Sequence, residues 1–177
     1  KSFIGPIEGN VLNFRWVSDE KYDFIIMADV LEHLSDPALV LEKCQEVLKE
    51  NGNILVSIPN VAHNSILIDL YNDKFIYDEV GLLDYTHVHF FTYSTFAQMA
   101  EETGWQIYEQ KPIYSRVGWN EIDNHYTDIP HEVAKCLRNR RSGSVYQYVL
   151  NLIPKHRQQI TSLTLEQIDY LEEEYRE

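Results

Sequence analysis

Residues 22–60 carry the strongest structural signal in this chain of 177 residues. They read YDFIIMADVLEHLSDPALVLEKCQEVLKENGNILVSIPN. The run from Phe24 to Ala28 is short, continuously apolar and rich in strand-forming residues, and it predicts a strand covered on both faces of a parallel sheet. Residues 53–59 (NILVSIP) predict a second buried strand, which Pro59 closes.

A helix is predicted between these two strands. Ser35-Asp36-Pro37 is typical of a helix start, with Asp36 as the N-cap and Pro37 in the first helical position. Gly52 is predicted to end the helix in the C′ position. Apolar residues recur between these limits at spacings of three and four and predict one buried stripe, namely Val40, Leu41, Cys44, Val47 and Leu48. Strand, helix and strand with short connections predict a βαβ unit with a right-handed crossover.

The remaining pattern extends this unit into an α/β domain. A C-terminal antiparallel pair of strands is predicted from Trp105 to about Tyr114 and from Val145 to Ile153. The other predicted elements are a short helix over 64–72, an irregular aromatic segment over 74–91, a helix capped by Thr92 or Ser94 and ended by Gly104, a short helix over 130–138, and a charged helix or linker over 155–177.

The composition of the chain disfavours two classes of binding partner, nucleic acids and membranes. The chain has 15 basic and 28 acidic residues, a formal charge of −13, which disfavours binding to nucleic acid. No apolar run reaches the roughly 20 residues that span a bilayer, and no secretory signal is visible, so no membrane partner is expected. Cys44 and Cys136 are single thiols, which favours a reducing cytoplasmic location. The chain starts with Lys1 rather than Met, which indicates a segment cut or processed from a longer protein.

Four segments together resemble the C-terminal portion of class I, Rossmann-like S-adenosylmethionine-dependent methyltransferases. They are IIMADVLEHLSDP (25–37), EVLKENGNILVSIPN (46–60), GLLDYTHVHFFTYSTFAQMAEETGW (81–105) and SVYQYVLNLIP (144–154). The third is similar to bacterial members linked to sugar and cell-surface glycan biosynthesis. The resemblance covers roughly residues 9 to 153. It implies the back half of a doubly wound sheet and a methyl donor, S-adenosylmethionine.

The resemblance also shows what is missing. The glycine-rich loop after the family's first strand has no counterpart here, so residues 1–154 are expected to form a partial methyltransferase domain. The acidic residue that ends the family's second strand and holds the ribose is missing as well. Asn10 stands where relatives often carry an adenine-contacting Asp, and Asn10 and Asp29 are the predicted contacts with the cofactor. His89 replaces an Arg that is frequent in relatives.

Methyl transfer needs an acceptor that is well positioned and, for a hydroxyl acceptor, deprotonated. In open α/β sheets this chemistry takes place beyond the carboxyl ends of the strands. His33 or His87 is the predicted base, although Glu32 and His33 would fit equally well as helix-capping residues. The predicted acceptor is a sugar, glycan precursor or other small hydroxyl compound. Residues predicted to bind it are Asn60, His63, Tyr85 and His89.

A metal-dependent alternative uses a larger set of residues. Asp29, Glu32 and His33 form D-x-x-E-H, and His87 follows downstream. This set resembles the E-x-x-E-H … H pattern of small-RNA 2′-O-methyltransferases and ubiquinone-pathway O-methyltransferases, which implies Mg²⁺ or Mn²⁺ bound by these four side chains. The first position here is Asp rather than Glu, which shortens its reach by one methylene.

A third possibility is a non-catalytic role. A truncated methyltransferase fold without its first strand would leave one edge of the sheet unpaired, and an unpaired edge promotes pairing with another chain. The sequence therefore also fits an assembly or docking module that forms a homo-oligomer through this edge.

Overall fold

The structure, a computed structural model, describes residues 21–157. Asn10 lies outside the described residues, as does the predicted C-terminal helix apart from its first three residues, 155–157. None of the described helices is long and apolar enough to cross a lipid bilayer.

A four-stranded sheet with the order β1-β2-β4-β3 organises the described chain. Its strands are β1 (Tyr22–Ala28), β2 (Leu48–Pro59), β3 (Trp105–Tyr114) and β4 (Val145–Pro154). β1 and β2 are parallel, whereas β4 is antiparallel to both β2 and β3. The carboxyl ends of β1, β2 and β3 therefore meet at one edge of the sheet. The predicted α/β fold with a C-terminal antiparallel pair is confirmed.

Four α-helices connect or flank the strands: α1 (Pro37–Val47), α2 (Asn64–Tyr71), α3 (Tyr93–Glu102) and α4 (His131–Arg138). Helix α1 begins as predicted, because the Asp36 carboxylate accepts a hydrogen bond of 3.0 Å from the backbone N–H of Leu39. All five residues of the predicted stripe are buried. Residues 74–91 contain neither helix nor strand beyond one isolated bridge.

The predicted role of Gly52 is wrong. Helix α1 ends at Val47, and Gly52 lies inside β2. Leu48 already has an extended backbone and pairs with Tyr22 of β1, so strand pairing ends the helix. A Cβ at position 52 would lie 2.5 Å from the Leu48 Cγ. Glycine at this position permits close packing inside the strand.

The predicted burial of β1 on both faces is also wrong. Met27 is buried, but the side chains of Phe24 and Ile26 are 61% and 70% exposed. Within the described residues, β1 pairs only with β2 and forms one edge of the sheet. No described helix covers the face that carries Phe24 and Ile26, so within residues 21–157 the continuous apolar run forms an edge strand with one covered face.

The main core lies between the sheet and helices α1 and α3. Trp105 is fully buried, and its indole N–H donates a 3.0 Å hydrogen bond to the carbonyl oxygen of Leu41. Helix α3 is capped by Thr92, as predicted, and the chain leaves it through Gly104 with a φ of +86°. This packing fixes α1 and α3 against the sheet and leaves the connections at its carboxyl edge to form a site.

Candidate active site

The turn that follows β1 is shaped by Asp29, which has a left-handed backbone with a φ of 51°. Acidic and amide residues tolerate this conformation better than most others. The Asp29 N–H donates to the Ser57 hydroxyl at 3.0 Å, and that hydroxyl donates to the Asp29 carboxylate at 3.0 Å. Gln147 also donates to the carboxylate. Asp29 therefore ties the turn to β2 and β4.

Glu32 occupies the 3₁₀ turn Leu31–His33, three residues beyond Asp29. Its side chain is 1% exposed, and neither carboxylate oxygen has a hydrogen-bond partner among the described residues. Burial is the main cause that raises the pKa of Glu32 to about 7; the charges of Asp29 and Asp84 add to it, while the residue's own backbone N–H and the charge of His33 act against it. Burying a charged carboxylate without a partner costs free energy, so a nearby cation or protonation would stabilise Glu32.

Two imidazoles lie beside this carboxylate. The ring centroids of His33 and His87 are 4.7 Å apart, with the planes inclined at 64°. The His87 Nδ1 lies 3.3 Å from the carbonyl oxygen of Leu82. Burial lowers the pKa of His87, and the charge of His33 lowers it further. A neutral imidazole whose Nδ1–H is bonded to a carbonyl keeps its Nε2 lone pair for another partner.

His33 is oriented by the loop that follows α2. Its Nδ1 lies 2.9 Å from the Thr86 hydroxyl and 3.3 Å from the Thr86 carbonyl oxygen. The hydroxyl and the N–H of Thr86 both donate to the Asp84 carboxylate, at 2.6 and 2.7 Å. These two hydrogen bonds lower the pKa of Asp84. Asp84 and Thr86 were not identified as site residues from the sequence, although DYTH places both next to His87.

Glu32, His33 and His87 form one potential metal-binding group. Each offers one ligand atom, and these three atoms lie within 4.8 Å of one another. Ligands at about 2.1 Å from an ion can be at most about 4.2 Å apart, so small side-chain movements would complete coordination. Asp29 is not part of this group, and its carboxylate is bonded to Ser57 and Gln147. Its predicted ligand role stays a prediction.

Two of the predicted acceptor-binding residues have their polar atoms in internal hydrogen bonds. The Asn60 amide donates to the Val145 carbonyl oxygen at 2.8 Å, and it is fully buried. His63 is also fully buried: its Nδ1 accepts from the Ser65 N–H at 3.2 Å and its Nε2 lies 2.8 Å from the Ser115 carbonyl oxygen. Burial lowers the pKa of His63. Both side chains hold connecting loops in place.

The other two predicted acceptor-binding residues are more accessible. Tyr85 is 64% exposed and lies beside Thr86, the residue that orients His33. The His89 ring stacks on Phe91 with a centroid distance of 6.1 Å, and its Nε2 lies 3.3 Å from the Ser35 carbonyl oxygen. Tyr85 is thus available to a ligand at the edge of the site, whereas His89 packs against the loop before α1.

Comparisons with known proteins place this chain in a family. The model of the family Methyltransf_23, the methyltransferase domain, matches residues 7–110. The ubiquinone biosynthesis O-methyltransferase of Coxiella burnetii is 22% identical over 104 residues, which are 59% of this chain and 44% of that protein. The enzyme of the same name from Hydrogenovibrio crunogenus is 27% identical over 86 residues, 49% of this chain and 36% of that protein. The chain spans less than half the length of these two relatives.

Solved structures show the same fold. A methyltransferase structure from Bacillus halodurans C-125 has a TM-score of 0.54 and 16% identity. The match covers 84% of this chain and 70% of that protein. An S-adenosylmethionine-dependent methyltransferase from Archaeoglobus fulgidus has a TM-score of 0.51 and 18% identity. The match covers 82% of this chain and 66% of that protein. The chain belongs to the methyltransferase-domain family, and its fold is that of the class I S-adenosylmethionine-dependent enzymes.

Proposed function

We propose that this chain supplies the acceptor side of a divalent-metal-dependent O-methyltransferase that uses S-adenosylmethionine. The observation that carries this proposal is the buried Glu32 carboxylate, whose two oxygens lack partners among the described residues while two imidazoles lie beside it. The names of the curated relatives, which are ubiquinone biosynthesis O-methyltransferases, support oxygen as the methylated atom.

The three side chains fit a divalent cation. A cation would offset the buried negative charge of Glu32, and the Nδ1 contacts of His33 and His87 leave Nε2 of each ring as the ligand atom. One carboxylate and two imidazoles suit Mn²⁺ or a similar ion better than Mg²⁺, which prefers oxygen ligands. When bound, such an ion would act as a Lewis acid that orients an acceptor hydroxyl and lowers its pKa.

The chain's own residues also support direct proton removal. The Asp84 carboxylate accepts from the Thr86 hydroxyl, and Thr86 contacts the His33 Nδ1. This chain of contacts fixes the orientation of the imidazole, and an imidazole held within reach of an acceptor hydroxyl can take its proton. His33 is then the base, and His87 the second candidate. Dependence on added metal separates this mechanism from the metal-assisted one.

Three finer expectations remain predictions. The sugar or glycan acceptor has no support from the curated relatives described above, whose names refer to ubiquinone biosynthesis. Contact of the donor with Asn10 and Asp29 rests on the family resemblance. The division into a partial domain over 1–154 and a tail over 155–177 is likewise a proposal.

The experiment is a titration of Mn²⁺ into the purified chain, followed by the electron paramagnetic resonance signal of free Mn²⁺ and by calorimetry. One site per chain is expected in the unaltered protein and in Glu42→Gln, which removes an exposed carboxylate on α1. Glu32→Gln should weaken binding by at least about tenfold, because a ligand charge is lost. Equal binding by Glu32→Gln and Glu42→Gln would refute the metal site.

A further inference from the structure

A cavity of about 440 Å³ lies outside the Glu32, His33 and His87 group. It is bounded by the N-terminus of α3, the loop 140–142 and side chains of β3 and β4, including Gln110 and Tyr148. A volume of this size suits a small organic molecule. None of the three residues of the metal-binding group lines it.

The charges that line this cavity are of one sign. Among residues 21–157, Arg140 and Arg141 are the charged residues that line it, and no Asp or Glu does, although the chain as a whole has a formal charge of −13. The Arg140 guanidinium, with no carboxylate from the described residues beside it in the cavity wall, creates a local positive potential there. That potential favours an anionic ligand.

Arg140 is the more deeply placed of the two arginines. Its Nη1 donates to the Ala62 carbonyl oxygen and to the Asn64 side-chain oxygen, each at 2.8 Å. Both acceptors are neutral, and no carboxylate forms an ion pair with Arg140 within residues 21–157. Burial lowers the pKa of Arg140. The guanidinium is therefore held in a fixed position without a carboxylate partner from the described part of the chain, and its other N–H groups remain for a ligand.

The N-terminus of helix α3 also lines the cavity. Tyr93 and Ser94 begin the ten-residue helix α3 and line the cavity. The Thr95 N–H already donates to the Thr92 hydroxyl at 3.2 Å. In the first turn this leaves the N–H groups of Tyr93 and Ser94, which together with the helix dipole favour an anion. The Oε1 of Gln110, which can only accept a hydrogen bond, is buried and lacks a partner among the described residues, so it suits a donor group on the body of a ligand and not the anionic group. Tyr93, Val145 and Tyr148 supply apolar surface for the remainder of a ligand.

We infer that this cavity is a binding site for a small organic oxyanion. The carboxylate or phosphate pairs with Arg140 and the first turn of α3, and the apolar body packs against Tyr93 and Tyr148. Arg140 is a binding residue here and has no part in the proposed methyl transfer. The anion site and the metal-binding group share no residue, so an experiment can refute one of the two proposals without affecting the other.

The test is calorimetric titration of the chain with phenyl phosphate, benzoate and the neutral analogue benzyl alcohol. Binding of either anion without binding of benzyl alcohol is expected, and the stronger of the two anions identifies phosphate or carboxylate as the ligand group. Arg140→Gln should weaken that binding by about tenfold or more, because hydrogen bonds to a charged group are lost. Arg138→Gln is the matched control, since Arg138 packs over Tyr126 and does not line the cavity.

A second variant keeps the inference testable if Arg140→Gln does not fold. Ser94→Asp places a negative charge at the N-terminus of α3, where it favours the helix but repels an anion in the cavity. Binding should fall by about tenfold or more in this variant while the melting temperature is kept. Equal binding of benzyl alcohol, full binding by Ser94→Asp, or no binding of either anion would each overturn the inference.

Discussion

The backbone N–H of Val88 donates a 2.8 Å hydrogen bond to the carbonyl oxygen of Glu32, and the N–H of His89 donates to the same oxygen at 3.0 Å. This contact fastens the loop that carries His87 to the turn that carries Glu32 and His33. The candidate metal-binding group depends on it, because its residues come from two segments that are far apart in the sequence.

Thr86 is predicted to act on the site through His33. Thr86→Val removes the hydroxyl that contacts the His33 Nδ1 at 2.9 Å. Loss of such an orienting partner typically costs about 10- to 100-fold in metal affinity, so Mn²⁺ binding should weaken by at least about tenfold. Thr127→Val, at an exposed position in the turn Tyr126–Asp128, is the control. Unchanged affinity in Thr86→Val would show that His33 needs no such support.

The metal-free protein should lose stability as the pH rises. The pKa of Glu32 is about 7 when folded, against an ordinary value of 4.5. Between these values the unfolded chain binds fewer protons than the folded one, so the free energy of unfolding falls with rising pH. The contribution is fully present below pH 4.5 and is lost as the pH passes through 7, in total about 3 kcal/mol.

Denaturant titrations from pH 4.5 to 8 with a chelator present measure this effect. Glu32→Gln should show a smaller fall in stability over the same range, because its side chain does not ionise. Parallel curves for the two proteins would contradict a raised pKa for Glu32.

The two cysteines should differ sharply in reactivity. Burial raises the pKa of the Cys44 thiol to about 12, whereas Cys136 is exposed. Since the thiolate is the reactive form, a thiol-specific disulfide reagent at pH 8 should modify Cys136 alone in the native protein and both residues in denaturant. The Cys136→Ser variant should therefore react only after unfolding. Fast native reaction of that variant would show that α1 opens readily from the sheet.

Trp105 is predicted to be a main contributor to stability. Trp105→Phe leaves a space in a fully buried position and removes the 3.0 Å hydrogen bond to the Leu41 carbonyl oxygen. The expected loss is about 2 to 3 kcal/mol in the free energy of unfolding. Trp119→Phe is a matched control, because Trp119 is 81% exposed and should change stability by less than about 0.5 kcal/mol. Urea titrations of the two variants measure these changes in the free energy of unfolding.

The exposed strand β1 allows a test of self-association. Phe24 and Ile26 are 61% and 70% exposed at an edge of the described sheet. If chains pair through this edge, light scattering should show a dimer at high protein concentration, and Ile26→Lys should shift it to the monomer. The control Ile76→Lys changes a residue that is 65% exposed in the loop after α2, and it should leave the dimer unchanged. A monomer at every concentration would remove the homo-oligomer and weaken the assembly-module alternative.

Local features of the fold are readable from the residues alone, because they depend on nearby groups. Asp36-Pro37 predicts the start of α1 correctly, since an N-cap needs only an acceptor side chain and the N–H groups of the next turn. Gly52 predicts a helix end that does not occur, because Leu48 already pairs with Tyr22 in a distant strand. Phe24 and Ile26 are exposed because the covering of a strand depends on which elements pack against it.

In the candidate site, too, the sequence predicts some residues and tertiary packing decides the rest. Glu32 and His33 are neighbours in the sequence, and family resemblance pairs them with His87. The tertiary structure brings His87 to within 4.7 Å of His33, bonds Asp29 to Ser57 and Gln147, and buries Asn60 and His63. The positive cavity around Arg140 likewise comes from helix α3, loop 140–142 and two strands that are separate in the chain. Residue types fix which chemistry is available, and packing between distant segments fixes which groups have partners and which remain for a ligand.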